Sequence, residues 1–230
     1  MREHRVITPS VLYFGTPVAV VSSVNGDGST NLAPISSYWA LDDLVVIGLG
    51  ASGQTARNLR ERPDLIVNLF EDDAWQQIDA LGRLTGTHPV PADKRPDCRF
   101  EADKFAAVGW KPVEASPGRP ARIAEASVHI AASVSAIDEE QGGLVVVRAR
   151  AGVVHADERI VVEGTSHVDP QLWRPLIYSF RHYFGLGVRR GVAPHADVPS
   201  AFESRTLQKS EPENCKVRHS KREEEPLTPG

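Results

Sequence analysis

The sequence predicts a mainly β fold, a barrel or a sandwich, with a few short helices. The segment Asn25-Gly26-Asp27-Gly28 separates two stretches rich in β-branched residues, and Asn-Gly and Asp-Gly pairs favour the positive φ angles of tight antiparallel turns. Later in the chain, short apolar stretches are again joined by a glycine pair, Gly142-Gly143. Short strands linked by such turns are typical of barrels and sandwiches.

The first half of the chain is predicted to alternate strands with two helices. Residues 17–23 are apolar and β-branched, which indicates a buried strand. A helix is expected to start at Ser52 or Gly53, and another to run over residues 73–81 with Asp72 or Asp73 as its N-cap and Gly82 as its stop. The predicted strands are residues 17–23, 30–35, 44–48 and 65–69.

The second half contains a proline-rich loop followed by more strands. Residues 86–120 hold six prolines and are expected to form a loop with one short helix at 102–108. The expected strands are 126–137, 144–154 and 154–162, the last with a turn at 156–158. Residues 170–187 are rich in aromatic residues and are expected to lie against the barrel.

Apolar periodicity ends near residue 191, and the remaining residues mix charges with serine and proline. We therefore expect one domain over residues 1–190 and a disordered tail over 191–230.

Composition excludes several classes of function. The formal net charge is -4, which provides no basic field for nucleic acid. No apolar run approaches the roughly 20 residues that cross a bilayer. The two cysteines, Cys98 and Cys215, are far apart, and the histidines form no H-x-H or H-x-x-x-H pair. We therefore expect neither a disulfide nor a metal site, neither nucleic acid nor membrane as a partner, and a cytoplasmic protein.

The segment Gly48-Leu49-Gly50-Ala51-Ser52-Gly53 allows two interpretations. It spells G-x-G-x-x-G after an apolar strand, and the acidic cluster at 71–73 follows about 20 residues later, as a dinucleotide-binding fingerprint requires. Alternatively, Ser52 and Thr55 lie at a helix start, where hydroxyls and free N–H groups suit a single phosphate or serve only as N-caps. The hairpin before the motif and the scarcity of helices after it argue against a Rossmann fold, and Glu71-Asp72-Asp73 is better explained as a loop and helix start.

Several segments in order resemble the flavin reductase-like family. They are Thr16-Pro17-Val18-Ala19-Val20-Val21, Gly28-x-x-Asn31-Leu32-Ala33-Pro34-x-Ser36, Thr55-x-x-Asn58-Leu59, the strand ending at Asn68, the stretch Val154 to Ile160, Pro175, and Arg181-His182-Tyr183-Phe184-Gly185. The resemblance covers roughly residues 8–187. It implies an FMN-binding split β-barrel, homodimeric, with the flavin at the dimer interface.

The resemblance also implies site residues. The segment Asn31 to Ser37 would run along the flavin ring and ribityl chain, and the loop up to Thr55 would hold the phosphate. The catalytic residues are unknown, with His182 and Tyr183 as candidates to cover the ring or line the substrate mouth. The cofactor-binding positions carried over are Asn31, Ala33, Pro34, Ser36, Ser37, Ser52, Gly53, Gln54, Thr55 and Arg57.

Two departures from the family pattern bear on function. Gly53 and Gln54 stand where relatives often have Lys or Arg and Asp, so Arg57 or Arg60 becomes the candidate for the phosphate charge. Gly142-Gly143-Leu144 stands where many flavin reductases carry Gly-Asp-His for the nicotinamide substrate. Glycines Gly48 and Gly50 are expected only to end a barrel strand.

We therefore expect an FMN-dependent oxidoreductase that passes hydride or electrons to an unknown acceptor, since the flavin carries most of the chemistry. The alternatives are an NAD(P)H:flavin reductase that partners a monooxygenase, with NADH or NADPH as donor and a small molecule or flavin as substrate, and a non-enzymatic FMN-binding electron carrier. Trp39 is expected in the core or a dimer interface, and His129 in the core rather than a pocket. Ser166, His167 and Asp169 are not expected to form a triad, because a triad is a spatial arrangement.

Overall fold

The computed structural model describes residues 2–114 and 116–191, which contain fourteen strands and three α-helices. The strands are β1 (Phe14–Pro17), β2 (Ala19–Val24), β3 (Thr30–Ile35), β4 (Tyr38–Leu41), β5 (Leu44–Gly50), β6 (Asp64–Leu69), β7 (Leu84–Thr85), β8 (Arg99–Phe100), β9 (Pro112–Val113), β10 (Arg122–Ile123), β11 (Val128–Glu140), β12 (Leu144–Ala156), β13 (Ile177–Ser179) and β14 (His182–Phe184). The helices are α1 (Gln54–Glu61), α2 (Trp75–Leu81) and α3 (Lys104–Val108), with 3₁₀ turns at Asp72–Ala74 and Glu158–Ile160.

Seven strands form one antiparallel sheet in the order β3-β2-β6-β11-β12-β5-β4. Laid flat at about 4.8 Å per neighbour, the outer two strands would be roughly 29 Å apart. Those two strands, β3 and β4, are joined by residues 36–37 alone, so the end of β3 and the start of β4 are at most about 11 Å apart. The sheet therefore curls, and a hydrogen bond from Gly48 N–H to the Ser37 carbonyl (2.9 Å) links β5 to this connection.

The barrel has two hydrophobic cores because strand β2 is covered on both faces. Ala19 and Val21 point to the interior, in a cluster with Ile47 on β5. Val18, just before β2, and Val20 belong to an outer cluster with Phe70, Ile78, Leu81, Phe105 and Trp110, built largely from α2, α3 and the loops near them. Burial on both faces explains why this strand reads as a continuous apolar run and not as an alternating pattern.

The structure confirms the mainly β fold class and most of the predicted elements. The expected strands at 17–23, 30–35, 44–48 and 65–69 correspond to β2, β3, β5 and β6, and the hairpin at Asn25–Gly28 joins β2 to β3. The Gly142-Gly143 pair turns β11 into β12, with both φ angles positive. Antiparallel pairing throughout the large sheet excludes the Rossmann interpretation.

Other local predictions were wrong. The helix expected over 73–81 is a 3₁₀ turn followed by α2, whose N-cap is Ala74, so neither Asp72 nor Asp73 caps it. No strand occupies 157–162, because the Asp157 carboxylate accepts from Arg159 N–H (2.9 Å) and fixes a 3₁₀ turn there. Strands β1, β4, β13 and β14 were missed, since each is three or four residues long.

The expected tail at 191–230 lies, apart from residue 191, outside the described residues. The compact unit that carries the elements above ends at Val188.

Candidate functional site

A cleft of about 270 Å³ opens where β3, the end of β5 and the start of α1 meet. One wall is the β3 segment and its continuation to Ser37, and the opposite wall is the chain from Gly48 to Ala56. The short strand β7 and two lysines complete the lining. The lining residues are Tyr13, Asn31, Ala33, Pro34, Ile35, Ser36, Ser37, Gly48, Leu49, Gly50, Gly53, Gln54, Thr55, Ala56, Leu84, Thr85, Gly86, Lys94 and Lys104.

The N-terminus of α1 faces this cleft. Gly53 is the N-cap and makes no side-chain capping bond, so the predicted alternative that Ser52 or Thr55 is an ordinary N-cap is wrong. The first N–H groups of a helix have no partner within the helix, and the helix dipole favours an anion beside them. The first turn of α1 carries no acidic residue, which leaves this end of the helix open to an anion from outside.

A buried polar chain connects the helix start to β3 and α3. The Asn31 amide donates to the Thr55 hydroxyl (3.0 Å), and the Lys104 ammonium donates to Asn31 Oδ1 (2.9 Å) and to the Leu32 carbonyl (2.7 Å). All three side chains are at least 95 % buried. An ammonium group has three N–H donors, so one remains for the cleft that Lys104 lines.

Burial lowers the pKa of Lys104 to about 8, because desolvation disfavours the charged form. The nearby Lys94 ammonium lowers it further, while Cys98 and Glu101 act in the opposite direction. Among the described residues, neither Lys94 nor Lys104 forms an ion pair. Two cations therefore line one cleft without an internal counter-charge.

Gln54 and Gly86 shape the floor of the cleft. The Gln54 amide donates to Asn58 Oδ1 (2.8 Å), and its Oε1 accepts from the Thr87 hydroxyl (3.4 Å). A Cβ on Gly86 would lie 2.6 Å from Asn31 Oδ1 and 3.1 Å from Gln54 Cγ. Only glycine therefore allows the chain after β7 to approach these two amides so closely.

Eight of the ten predicted cofactor-binding residues line this single cleft. They are Asn31, Ala33, Pro34, Ser36, Ser37, Gly53, Gln54 and Thr55. The structure does not bring the other two, Ser52 and Arg57, to the cleft. The Ser52 hydroxyl donates to the Asp93 carboxylate instead (2.7 Å), because it points to the loop after β7.

The two arginines considered for the phosphate charge lie elsewhere on α1. Arg57 is exposed and does not line the cleft. Arg60 forms an ion pair with Glu139 (2.7 Å) and donates to the Ala51 carbonyl (3.3 Å). Gly48 and Gly50 do end β5 as predicted, but they also line the cleft, whereas Ala51 does not.

A second cleft of about 210 Å³ shares Tyr13, Pro34, Ile35 and Ser36 with the first. Its far side is a cluster of tyrosines: Tyr178 lies 5.7 Å from Tyr13 and 5.3 Å from Tyr183 between ring centroids. Burial, together with the Asp79 carboxylate and Tyr178, raises the pKa of Tyr183 to about 12. The Tyr183 hydroxyl is therefore protonated at neutral pH and is a hydrogen-bond donor.

The two predicted catalytic candidates differ in position. Tyr183 is half-buried and lines the second cleft, whereas His182 is exposed and lines neither of these two clefts. His182 instead borders a third, larger depression with Trp75, Phe184 and Tyr183.

Three other side chains that the sequence singled out, Trp39, His129 and Asp169, line neither of the two clefts. Trp39 is 51 % exposed on β4, so the prediction of a core position is wrong and an interface remains the prediction. His129 is half-buried, its Nε2–H donates to the Ile123 carbonyl (2.8 Å), and it lines neither cleft. The Asp169 carboxylate accepts from the Gln171 N–H (2.8 Å), which is a turn contact and not one to His167.

Sequence reasoning missed Tyr13, Thr85, Gly86, Lys94 and Lys104 as cleft residues. For Lys104 a signal existed: on a helix it shares a face with Val108, four residues on, and precedes the buried Phe105. A lysine on an apolar helix face indicates a buried charged group that has a function. Lys94 gave no such signal, because it lies in a proline-rich loop.

The described residues show neither a metal-binding cluster nor a membrane-crossing helix. No group of three or more His, Cys, Asp or Glu is arranged to hold a metal ion there. None of the helices in that part of the chain combines the length and apolar character needed to cross a bilayer.

The described residues form a split barrel whose cleft is lined by the N-terminus of α1 and by two lysines, and comparison identifies the family. The profile described as "Flavin reductase like domain" matches residues 11–187. The chain therefore belongs to the flavin reductase-like family, as the sequence predicts.

Individual relatives agree with this family. The uncharacterized protein YdfE of Bacillus subtilis (strain 168) is 33 % identical over 189 residues, which cover 81 % of this chain and 91 % of that protein. The 2-nitrobenzoate 2-nitroreductase NbaA of Pseudomonas fluorescens superposes with a TM-score of 0.66 at 21 % identity, covering 84 % of this chain and 91 % of the other. Flavoredoxin of Desulfovibrio vulgaris (Miyazaki F) gives 0.68 at 16 % identity, covering 84 % and 99 %. At these identities the two structures establish the fold.

Proposed function

We propose that the protein binds FMN in the first cleft and works as a flavin-dependent oxidoreductase. The observation that carries the proposal is that a helix N-terminus without acidic residues and two lysines that form no ion pair with a described residue meet at one end of the cleft. Backbone N–H groups and ammonium groups together suit a phosphate. The β3 wall then runs from this end toward the tyrosine cluster, in the direction that the rest of a flavin mononucleotide needs.

The residues present fit such a ligand. The Thr55 hydroxyl and the N–H groups of Gln54 and Thr55 are proposed to hold the phosphate. The segment from Asn31 to Ser37 is proposed to hold the ribityl chain and ring edge through backbone groups and small hydroxyls. The Tyr13 hydroxyl, hydrogen-bonded to Ser37 Oγ (3.0 Å), would fix this wall in position.

Bound FMN would supply the hydride or electron transfer, and the protein would supply binding, orientation and a hydrogen-bond donor. The second cleft is the proposed place for the small-molecule donor or acceptor, since it adjoins the first across Pro34 to Ser36. There the protonated Tyr183 hydroxyl is proposed to donate a hydrogen bond to the bound molecule.

Two further functions remain as alternatives. An NAD(P)H:flavin reductase would release reduced flavin to a monooxygenase, and a carrier would hold FMN without a small substrate. The Gly142-Gly143 turn bonds to the cleft loop through Ala51 N–H and the Gly143 carbonyl (2.8 Å) and offers no imidazole for a nicotinamide. This turn favours retained FMN. By their names, the relatives above include a nitroreductase and a flavoredoxin, which agrees with a redox function either as an enzyme or as an electron carrier.

The proposal includes a homodimer and a reducing, cytoplasmic location. On β4 and β5, Trp39 pairs with Val46 and Leu41 pairs with Leu44. Trp39 and Leu41 are 51 % and 69 % exposed, whereas Val46 is buried. An exposed apolar face of this kind is typical of an interaction surface.

Cys98, a free thiol in the structure, is compatible with a reducing compartment.

The absorbance of the purified protein tests the proposal. We expect bands near roughly 370 and 450 nm from the flavin ring, and FMN on extraction. The proposal is wrong if the protein is colourless, does not bind added FMN and is not stabilised by it. Anaerobic addition of NADH or NADPH then separates an enzyme from a carrier. Loss of the flavin absorbance supports an enzyme. If the absorbance persists although the bound flavin can be reduced chemically, a carrier is supported.

A further inference from the structure

The loop between β7 and β8 is closed at its ends and bonded in its middle to the loop before α1. Its ends are fixed by the parallel pairing of Leu84 with Arg99 and of Thr85 with Phe100. Its middle is fixed by the hydrogen bond from the Ser52 hydroxyl to the Asp93 carboxylate (2.7 Å). We call residues 86–98 the strap, and this hydrogen bond the latch.

Lys94 follows the latch residue directly and enters the cleft. Its Nζ lies 3.9 Å from the position that a Cβ on Gly53 would occupy, so the ammonium group sits beside the N-cap of α1. A Cβ at position 53 would be in ordinary van der Waals contact with this ammonium group, and its tighter neighbour would be the Gly50 carbonyl oxygen, at 3.2 Å. Lys94 is half-buried and is not engaged in an ion pair with any described residue.

The geometry points to Lys94 as the residue that selects FMN over unphosphorylated flavin, held beside the α1 N-terminus by the Ser52–Asp93 latch. This inference rests on the proposed function. Relatives often carry a positive charge next to the threonine that corresponds to Thr55. In this chain we place that charge on a different element, the strap. Ser52 also takes a positioning role, since its hydroxyl holds Asp93 and does not face the ligand.

Electrostatics supports this assignment. Lys94 and Lys104 repel one another, as the lowering of the Lys104 pKa by Lys94 shows. A phosphate dianion between them and the helix N-terminus would replace this repulsion by two attractions. A ligand without phosphate would leave both cations uncompensated, so the preference for FMN over riboflavin should depend on Lys94.

The test compares FMN and riboflavin affinities of the full chain by flavin fluorescence quenching. We expect Lys94→Gln to raise the FMN Kd about tenfold, which corresponds to roughly 1.4 kcal/mol, and to leave the riboflavin Kd unchanged. Lys111→Gln is the matched control, because Lys111 is exposed and lines neither cleft. Its FMN and riboflavin affinities should equal those of the wild type.

A double-mutant cycle tests the latch. Ser52→Ala should raise the FMN Kd several-fold alone and have no further effect in the presence of Lys94→Gln, since both changes act through one ammonium group. Fully additive effects would overturn the latch, and an unchanged FMN preference in Lys94→Gln would overturn the role of Lys94. A wild-type chain that binds neither flavin would instead overturn the proposed function, so the two failures are distinguishable.

Discussion

Gly86 has a packing reason to be glycine, and this gives a test of the cleft. Gly86→Ala would place a Cβ 2.6 Å from Asn31 Oδ1 and 3.1 Å from Gln54 Cγ, which pushes both amides out of place. We expect the FMN Kd to rise about tenfold, roughly 1.4 kcal/mol, with circular dichroism unchanged. Gly26→Ala is the control, because a Cβ there meets nothing within 4 Å. Equal FMN affinity in the two variants would contradict the assignment of this cleft.

The buried Lys104 ammonium predicts an unusual pH dependence of stability. Its pKa is about 8 in the folded apoprotein and near the ordinary 10.5 when unfolded. Between these values the unfolded chain binds more protons, so the free energy of unfolding rises with pH. Above about pH 10 the raised pKa of Tyr183 acts in the opposite direction.

We therefore expect the apoprotein to gain roughly 1 to 2 kcal/mol between pH 8 and pH 9.5, measured by urea unfolding at fixed ionic strength. Lys104→Met removes the titrating group, and its stability should be flat over the same range. A wild-type profile as flat as that of Lys104→Met would show that the ammonium group is not desolvated.

At the scale of elements, helix α3 depends on its cap because it has only five residues. The Asp103 carboxylate accepts from Ala106 N–H (3.0 Å), and Gly109 ends the helix in the left-handed conformation. So short a helix is not stable by itself. The cap therefore helps to position Lys104, the first residue of the helix.

We expect Asp103→Ala to lower the free energy of unfolding by about 1 kcal/mol, measured by chemical denaturation. Asp103→Asn keeps an accepting oxygen at the N-cap and serves as the control, with a loss of only a few tenths of a kcal/mol. If both variants lose the same stability, the negative charge and not the cap is what matters at this position.

Sequence patterns predicted the long buried elements of this chain and the short helix α3, expected at 102–108, but missed the shortest strands. Strands β2, β5 and β6 carry apolar runs that identify them locally. Strands β1 and β13 pair with each other across 160 residues of chain, and neither has enough residues for a pattern. The end of α2 at Gly82 was predictable, but its start was not, because Asp72 and Asp73 take up a 3₁₀ turn first.

At the scale of the whole molecule, the outer face of β4 and β5 is where we expect the partner subunit. Trp39→Glu should shift the protein from dimer to monomer, since a charge replaces a large apolar contact. Sedimentation velocity at micromolar protein would measure the shift. FMN affinity should fall with the dimer if the flavin lies at the interface.

Leu172→Glu is the matched control for this prediction. Leu172 is as exposed as Trp39, at 51 % of its surface, but lies in the loop before β13 and not on β4 or β5. This variant should remain dimeric and keep its flavin. A Trp39→Glu protein that stays dimeric would place the interface on another face.

The sequence by itself determined the antiparallel barrel, the flavin reductase-like family and the two segments that wall the cleft. These follow from apolar runs, glycine turns and local motifs, which act over a few residues. Only the tertiary structure decided which cations reach the cleft. Lys104 meets Asn31 across 73 positions and Lys94 meets Gly53 through a loop closure, whereas Arg57, four residues beyond the N-cap, points to solvent. The direction of a helical side chain and the path of a loop depend on packing, and packing has no local pattern.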